Sequence, residues 1–146
     1  MSERSRLKIV MEEAKRDLVE DNELDSPMFY IISNHPGVPK VIEYLPALED
    51  PHQSLEEMGI RLNEICDRVD AEEVISFVQI ILRATDQYPA RPCLVARLER
   101  KDKVFILYQP YIYYETENRF HFQKEIWKMI DKDDSAGSFE HQVIEY

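Results

Sequence analysis

Asp70-Ala71-Glu72-Glu73-Val74-Ile75-Ser76-Phe77-Val78-Gln79-Ile80-Ile81-Leu82-Arg83 is the stretch on which the fold turns. Its apolar run from Val74 to Leu82 suits a buried strand. Its polar positions suit a helix. Glu72, Ser76, Gln79 and Arg83 draw one narrow polar stripe at helical spacing. Asp70 is a good N-cap, and Glu72 and Glu73 fit the positive end of a helix dipole. Residues 71–84 are therefore expected to be helical. The strand alternative would enlarge the sheet and remove any winged-helix architecture.

Just upstream, Ser54 and Glu57 have capping-box spacing. Leu55, Met58, Leu62, Ile65, Cys66 and Val69 then form one apolar helical stripe. Downstream, Pro89 and Pro92 end a helix and begin an extended path. Cys93–Glu99 alternates, with Leu94, Ala96 and Leu98 on one face and Arg97 and Glu99 on the other. Arg100-Lys101-Asp102-Lys103 breaks it, and Val104–Tyr108 is a second strand. The pair reads as a β-hairpin.

Further out, Arg6 to Asp21 is an amphipathic helix with Leu7, Val10, Met11, Ala14 and Leu18 on its apolar stripe, capped by Ser5 or Ser2. Met28–Ser33 is a short strand, and Asn34-His35-Pro36-Gly37 a turn. Val41–Leu45 is a strand or one helical turn. Pro110 is a break or an edge. Tyr111–Glu115 is a third strand, Thr116–Arg119 turns the chain, and Phe120–Asp131 is expected to be a closing helix. Residues 132–146 form a loosely docked tail. The expected fold class is α+β: an antiparallel sheet of three to five strands with helices packed on one face, and tandem helices followed by a hairpin.

At 146 residues the chain reads as a single domain, 1–146. Hydrophobic residues make up 44% and charged residues 32%, an ordinary globular mix. Two cysteines in unlike contexts suggest no disulfide framework and a reduced, cytoplasmic protein. No apolar run has the length of a membrane span, and the charged start lacks a secretory core.

Net charge is −11, unevenly spread. Residues 43–73 are strongly acidic, whereas Arg83, Arg91, Arg97, Arg100, Lys101 and Lys103 make residues 83–103 basic. Overall acidity opposes non-specific nucleic-acid binding and favours a basic protein partner.

Two constellations stand out. Tyr108, Tyr111, Tyr113 and Tyr114 cluster, with Tyr111 and Tyr113 on one strand face, as interface anchors or as cross-strand packing. Glu56, Glu57 and Glu64 on the acidic helix would meet a basic partner. The leading expectation is a non-enzymatic acidic interaction module, in the manner of an inhibitor, immunity protein or secretion chaperone, a likeness of composition only. An uncovered tyrosine strand would also allow a homodimer. The alternative is a winged-helix DNA-binding regulator, with Arg97, Arg100, Lys101 and Lys103 on the wing and residues 71–84 as the reading helix. Its acidic helices oppose that. A third reading is an enzyme whose site is assembled from distant residues, with His35 or His121 beside carboxylates.

Neither metal nor cofactor is implied. His35, His52, His121 and His141 lack zinc-site spacing, and no glycine-rich phosphate loop occurs. Cys66 belongs to a helix stripe, and Cys93 has no base beside it in sequence.

Overall fold

Ser2 caps α1 (Glu3–Asp21): its hydroxyl accepts from the Ser5 N–H at 3.2 Å. At the other end Asn22 adopts a left-handed conformation, φ 60°, and its N–H donates to the Leu18 carbonyl at 3.1 Å. The chain continues through β1 (Met28–Ser33), β2 (Val41–Tyr44), α2 (Leu55–Arg68), β3 (Ala71–Leu82), β4 (Arg91–Glu99), β5 (Lys103–Tyr114), β6 (Arg119–Phe122) and β7 (Ile126–Asp131). The computed structural model describes residues 2–24, 27–44 and 55–132, with the backbone alone for Leu55 and Glu56.

The described strands, seven in all, form one antiparallel sheet in the order β2-β1-β3-β4-β5-β6, with β7 also on β5. The outer edge of β5 is shared. Lys103–Tyr108 pairs with β7, and Tyr111–Tyr114 pairs with β6. Gln109 and Pro110 mark the change of partner. The Gln109 side chain is buried, and its Nε2 donates to the Gln123 carbonyl at 2.6 Å and to the Pro110 carbonyl at 3.1 Å. Gln123 N–H also donates to the Pro110 carbonyl at 2.9 Å.

Strand side chains alternate between faces, and the two helices divide those faces. Leu7, Met11, Ala14 and Leu18 of α1 pack with Ile75, Phe77, Leu94, Ala96, Leu98, Leu107 and Tyr111. Met28, Tyr30 and Ile32 of β1 support this layer. The intervening β1 residues, Phe29 and Ile31, meet Met58, Leu62, Cys66 and Val69 of α2 on the opposite face. Beyond α2, that second face carries Val78, Ile80, Cys93, Val95, Val104 and Ile106.

The α+β class, the antiparallel sheet, α1 with its stripe, β1 and the alternation of β4 follow the sequence expectation. Val41–Tyr44 is a strand. Several expectations are corrected. Residues 71–82 are strand, not helix, because Ile75 and Phe77 are wanted on one face and Val74, Val78 and Ile80 on the other. Asp70 accordingly is no N-cap. It is a left-handed turn residue, φ 49°, between α2 and β3, a conformation Asp tolerates. Residues 120–131 are two strands rather than a helix, and Pro110 lies inside β5. The helices cover both faces rather than one, and the sheet exceeds five strands. Ser54, and all of the tail beyond Lys132, lie outside the described residues.

Candidate functional site

The C-terminal end of α1 overhangs β5 and β6. An open groove of about 490 Å³ lies there, within the range of ligand pockets. Tyr111, Tyr113, Phe120 and Pro92 give it aromatic and apolar surface, and Leu18 and Leu24 add to it. Asn22, Glu23 and Gln79 supply the polar groups.

Register builds the aromatic cluster. Tyr111 stands opposite Phe122 and Tyr113 opposite Phe120. The Tyr113 and Phe120 rings are 4.7 Å apart, and Tyr111 lies 5.8 Å from Phe120 and 6.0 Å from Phe122. Such cross-strand aromatic pairs stabilise a sheet. The Tyr111 hydroxyl accepts from Gln79 Nε2. Burial pushes the Tyr111 phenol above its ordinary range, and the Gln79 hydrogen bond partly offsets this. The Tyr113 hydroxyl donates to Asn118 Oδ1 at 2.6 Å. Asn118 holds the β5–β6 turn with φ 48°.

The structure keeps Tyr111 and Tyr113 together, as expected, but gives them unequal parts. Tyr111 is core, 4% exposed, whereas Tyr113 is half-buried. Tyr108 faces the other side of the sheet, packed against Val104 and Ile106. Burial raises its phenol pKa, with Cys93 adding to this and Arg97 opposing it. Glu57 and Glu64 are exposed on α2, across the sheet from the groove. Glu56 has no described side chain. The tyrosine and acidic surfaces expected to act together thus lie on opposite faces. Over Tyr111–Tyr114, β5 pairs with β6 along one edge, and its pairing with β4 ends at Pro110.

The basic residues are deployed inward more than expected. Arg97 lies 3.9 Å from Glu99, a carboxylate 1% exposed that also meets Lys132 at 2.5 Å. Arg100 donates to Glu73 and pairs with Glu3 at 3.0 Å, and Arg6 of α1 reaches the same Glu73. Lys101 and Lys103 are exposed. With residues 71–82 in the sheet, the reading helix of a winged-helix protein is missing.

Cys66 and Cys93 are buried free thiols. Burial pushes both up to about 12, with Glu99 and Asp67 adding to the shift at Cys66. His35 is exposed in its turn, and His121 is exposed on β6. His52 and His141 lie outside the described residues. Among the described residues, no group of three His, Cys, Asp or Glu is placed to hold a metal ion, and no helix is long and apolar enough to cross a membrane.

Of the lining residues only Tyr111 and Tyr113 were expected; sequence reading missed the rest, Gln79, Asn22 and Glu23 among them. The left-handed Asn22 after a helical run was a legible signal; Gln79 was hidden by its assignment to a helix. Compared with known proteins, the chain matches no family, no curated protein and no solved structure.

Proposed function

We propose that this protein is a non-enzymatic interaction module that seats a segment of a partner protein in the groove between the end of α1 and strands β5 and β6. The observation that carries the reading is the groove itself, a concave aromatic surface with a few polar groups at its margin. Tyrosine and phenylalanine supply large contact area at little entropic cost, which is why such residues anchor interfaces. Both thiols are buried and held protonated, so neither is poised as a nucleophile. Free cysteines also suit a reducing compartment such as the cytoplasm. The net charge of −11 would speed encounter with a basic partner more than it sets affinity.

The test is capture from an extract of the source cells on immobilised protein, with Tyr113→Ala and Glu64→Lys in parallel. A partner retained by the wild type and by Glu64→Lys, lost with Tyr113→Ala, and protecting amides of 111–122 from exchange supports the reading. A partner that binds Tyr113→Ala equally well ends it.

A further inference from the structure

We infer that the groove takes a cationic side chain, an arginine or lysine of the partner segment, seated between the end of α1 and the tyrosine rings. The inference rests on the interaction reading above and names the chemistry of its partner.

The first argument is the charge at the end of α1. A helix C-terminus carries partial negative charge and is ordinarily compensated by Lys, Arg or His in its last turn. Here the last turn has no basic residue. Glu20 and Asp21 stand there instead, with Glu23 just beyond. The Asn22 cap occupies the Leu18 carbonyl and brings no positive charge. Departures from local rules of this kind concentrate where a protein works on something else.

The second argument is the aromatic surface. Ring faces attract cations, and this fold already uses that attraction beside the groove. Lys15 Nζ lies 4.8 Å from the centroid of Phe122 on the groove's face, and on the far face of the sheet the Arg119 guanidinium lies 5.3 Å from the centroid of Tyr114. Tyr111, Tyr113 and Phe120 line the groove itself, and among the described residues no lysine or arginine does.

The third argument extends the segment. A smaller groove of about 100 Å³ shares Leu24 with the first and runs between α1 and β1. Val10, Met28, Tyr30 and Phe77 give it apolar surface, while Glu13 and Asp17 supply charge. It too lacks a basic lining residue. A segment with one cation and neighbouring apolar residues matches the two grooves in order.

The probe is a fluorescein-labelled peptide of alternating arginine and leucine, read by anisotropy. Its control replaces every arginine with citrulline, which keeps the shape and removes the charge. The arginine peptide is expected to bind and the citrulline peptide to bind at least about tenfold more weakly, the scale of one desolvated cation–ring contact. Glu23→Lys and Tyr113→Ala should each weaken binding about tenfold. Glu64→Lys, which changes net charge equally on the far face, should leave it near wild type. Glu23 is exposed, so its variant reads binding even if Tyr113→Ala loosens β6. Equal affinity for the citrulline peptide, equal losses from Glu64→Lys and Glu23→Lys, or no binding of the arginine peptide would each overturn the inference. A natural partner that occupies the groove without a cation would overturn it too, while leaving the interaction reading intact.

Discussion

Arg100 Nε donates to Glu73 Oε2 over 3.0 Å, tying the tip of the β4–β5 hairpin to β3. Glu73 is 3% exposed and also takes Arg6 from α1. One carboxylate thereby joins a helix, a strand and a hairpin. Removing it leaves two guanidinium groups facing each other. Glu73→Ala is expected to cost about 3–5 kcal/mol, the scale for breaking a buried pair. Arg100→Ala should cost less, about 1–2 kcal/mol, since Arg6 still compensates Glu73. Urea denaturation of both variants checks the ranking, and an Arg100→Ala cost equal to that of Glu73→Ala would contradict it.

The two thiols give a signed pH dependence. Each rises from an ordinary 9.0 to about 12 on folding. Below pH 9 both states keep the proton, and stability is unaffected. Between pH 9 and about 12 the unfolded chain ionises first, so stability falls as pH rises. A Cys66→Ala, Cys93→Ala double variant should show a shallower fall over that window in pH-dependent unfolding. Neither thiol should react with a disulfide reagent in the native protein at mildly alkaline pH, and both should react in urea.

Tyr111 and Tyr113 should contribute unequally to stability. Tyr111→Ala empties a core position and should destabilise by about 3–5 kcal/mol. Tyr111→Phe forfeits the hydrogen bond from Gln79 and should cost about 1 kcal/mol. Tyr113→Ala should cost less than Tyr111→Ala, because its ring is half-exposed. Thermal unfolding of the three variants orders them.

Glu3 makes the start of α1 sensitive to acid. A backbone hydrogen bond holds the Glu3 carboxyl below its ordinary value of 4.5, with Arg100 and Arg6 adding to the shift and desolvation opposing it. The stabilisation is present above pH 4.5 and is lost as pH falls through the lowered value. Helical circular dichroism should decline more steeply with acid in wild type than in Glu3→Gln. Ser2→Ala should cost about 1 kcal/mol through the lost cap.

Much of the architecture was legible where apolar residues recur at the spacing of one face. The stripe of α1 and the alternation of β4 show it: Leu7, Met11 and Leu18, like Leu94, Ala96 and Leu98, all reach the same core. β3 was misread because apolar residues occupy both its faces, which erases the alternation that marks a strand. Its β-branched content (Val74, Ile75, Val78, Ile80 and Ile81) was the better guide. The closing strands were misread for the opposite reason. Ile126, Met129 and Ile130 are largely exposed, so their spacing never reported a buried helical face. The tyrosines were visible as a cluster, but the groove was not. It needs Gln79 brought to Tyr111 by pairings across the sheet, and Asn22 and Glu23 by the packing of α1 on β5.

The shared edge of β5 has a consequence for how this protein can change over generations. β6 hangs on four register pairs and β7 on six, with the change of partner at Gln109 and Pro110. The two strands can therefore loosen separately, as local openings usually do at sheet margins. Substitutions in 115–122 would reshape one side of the groove while Lys103–Tyr108 keeps its contacts with β7. The shape of the groove can drift in that short hairpin without reopening the question of whether the chain folds.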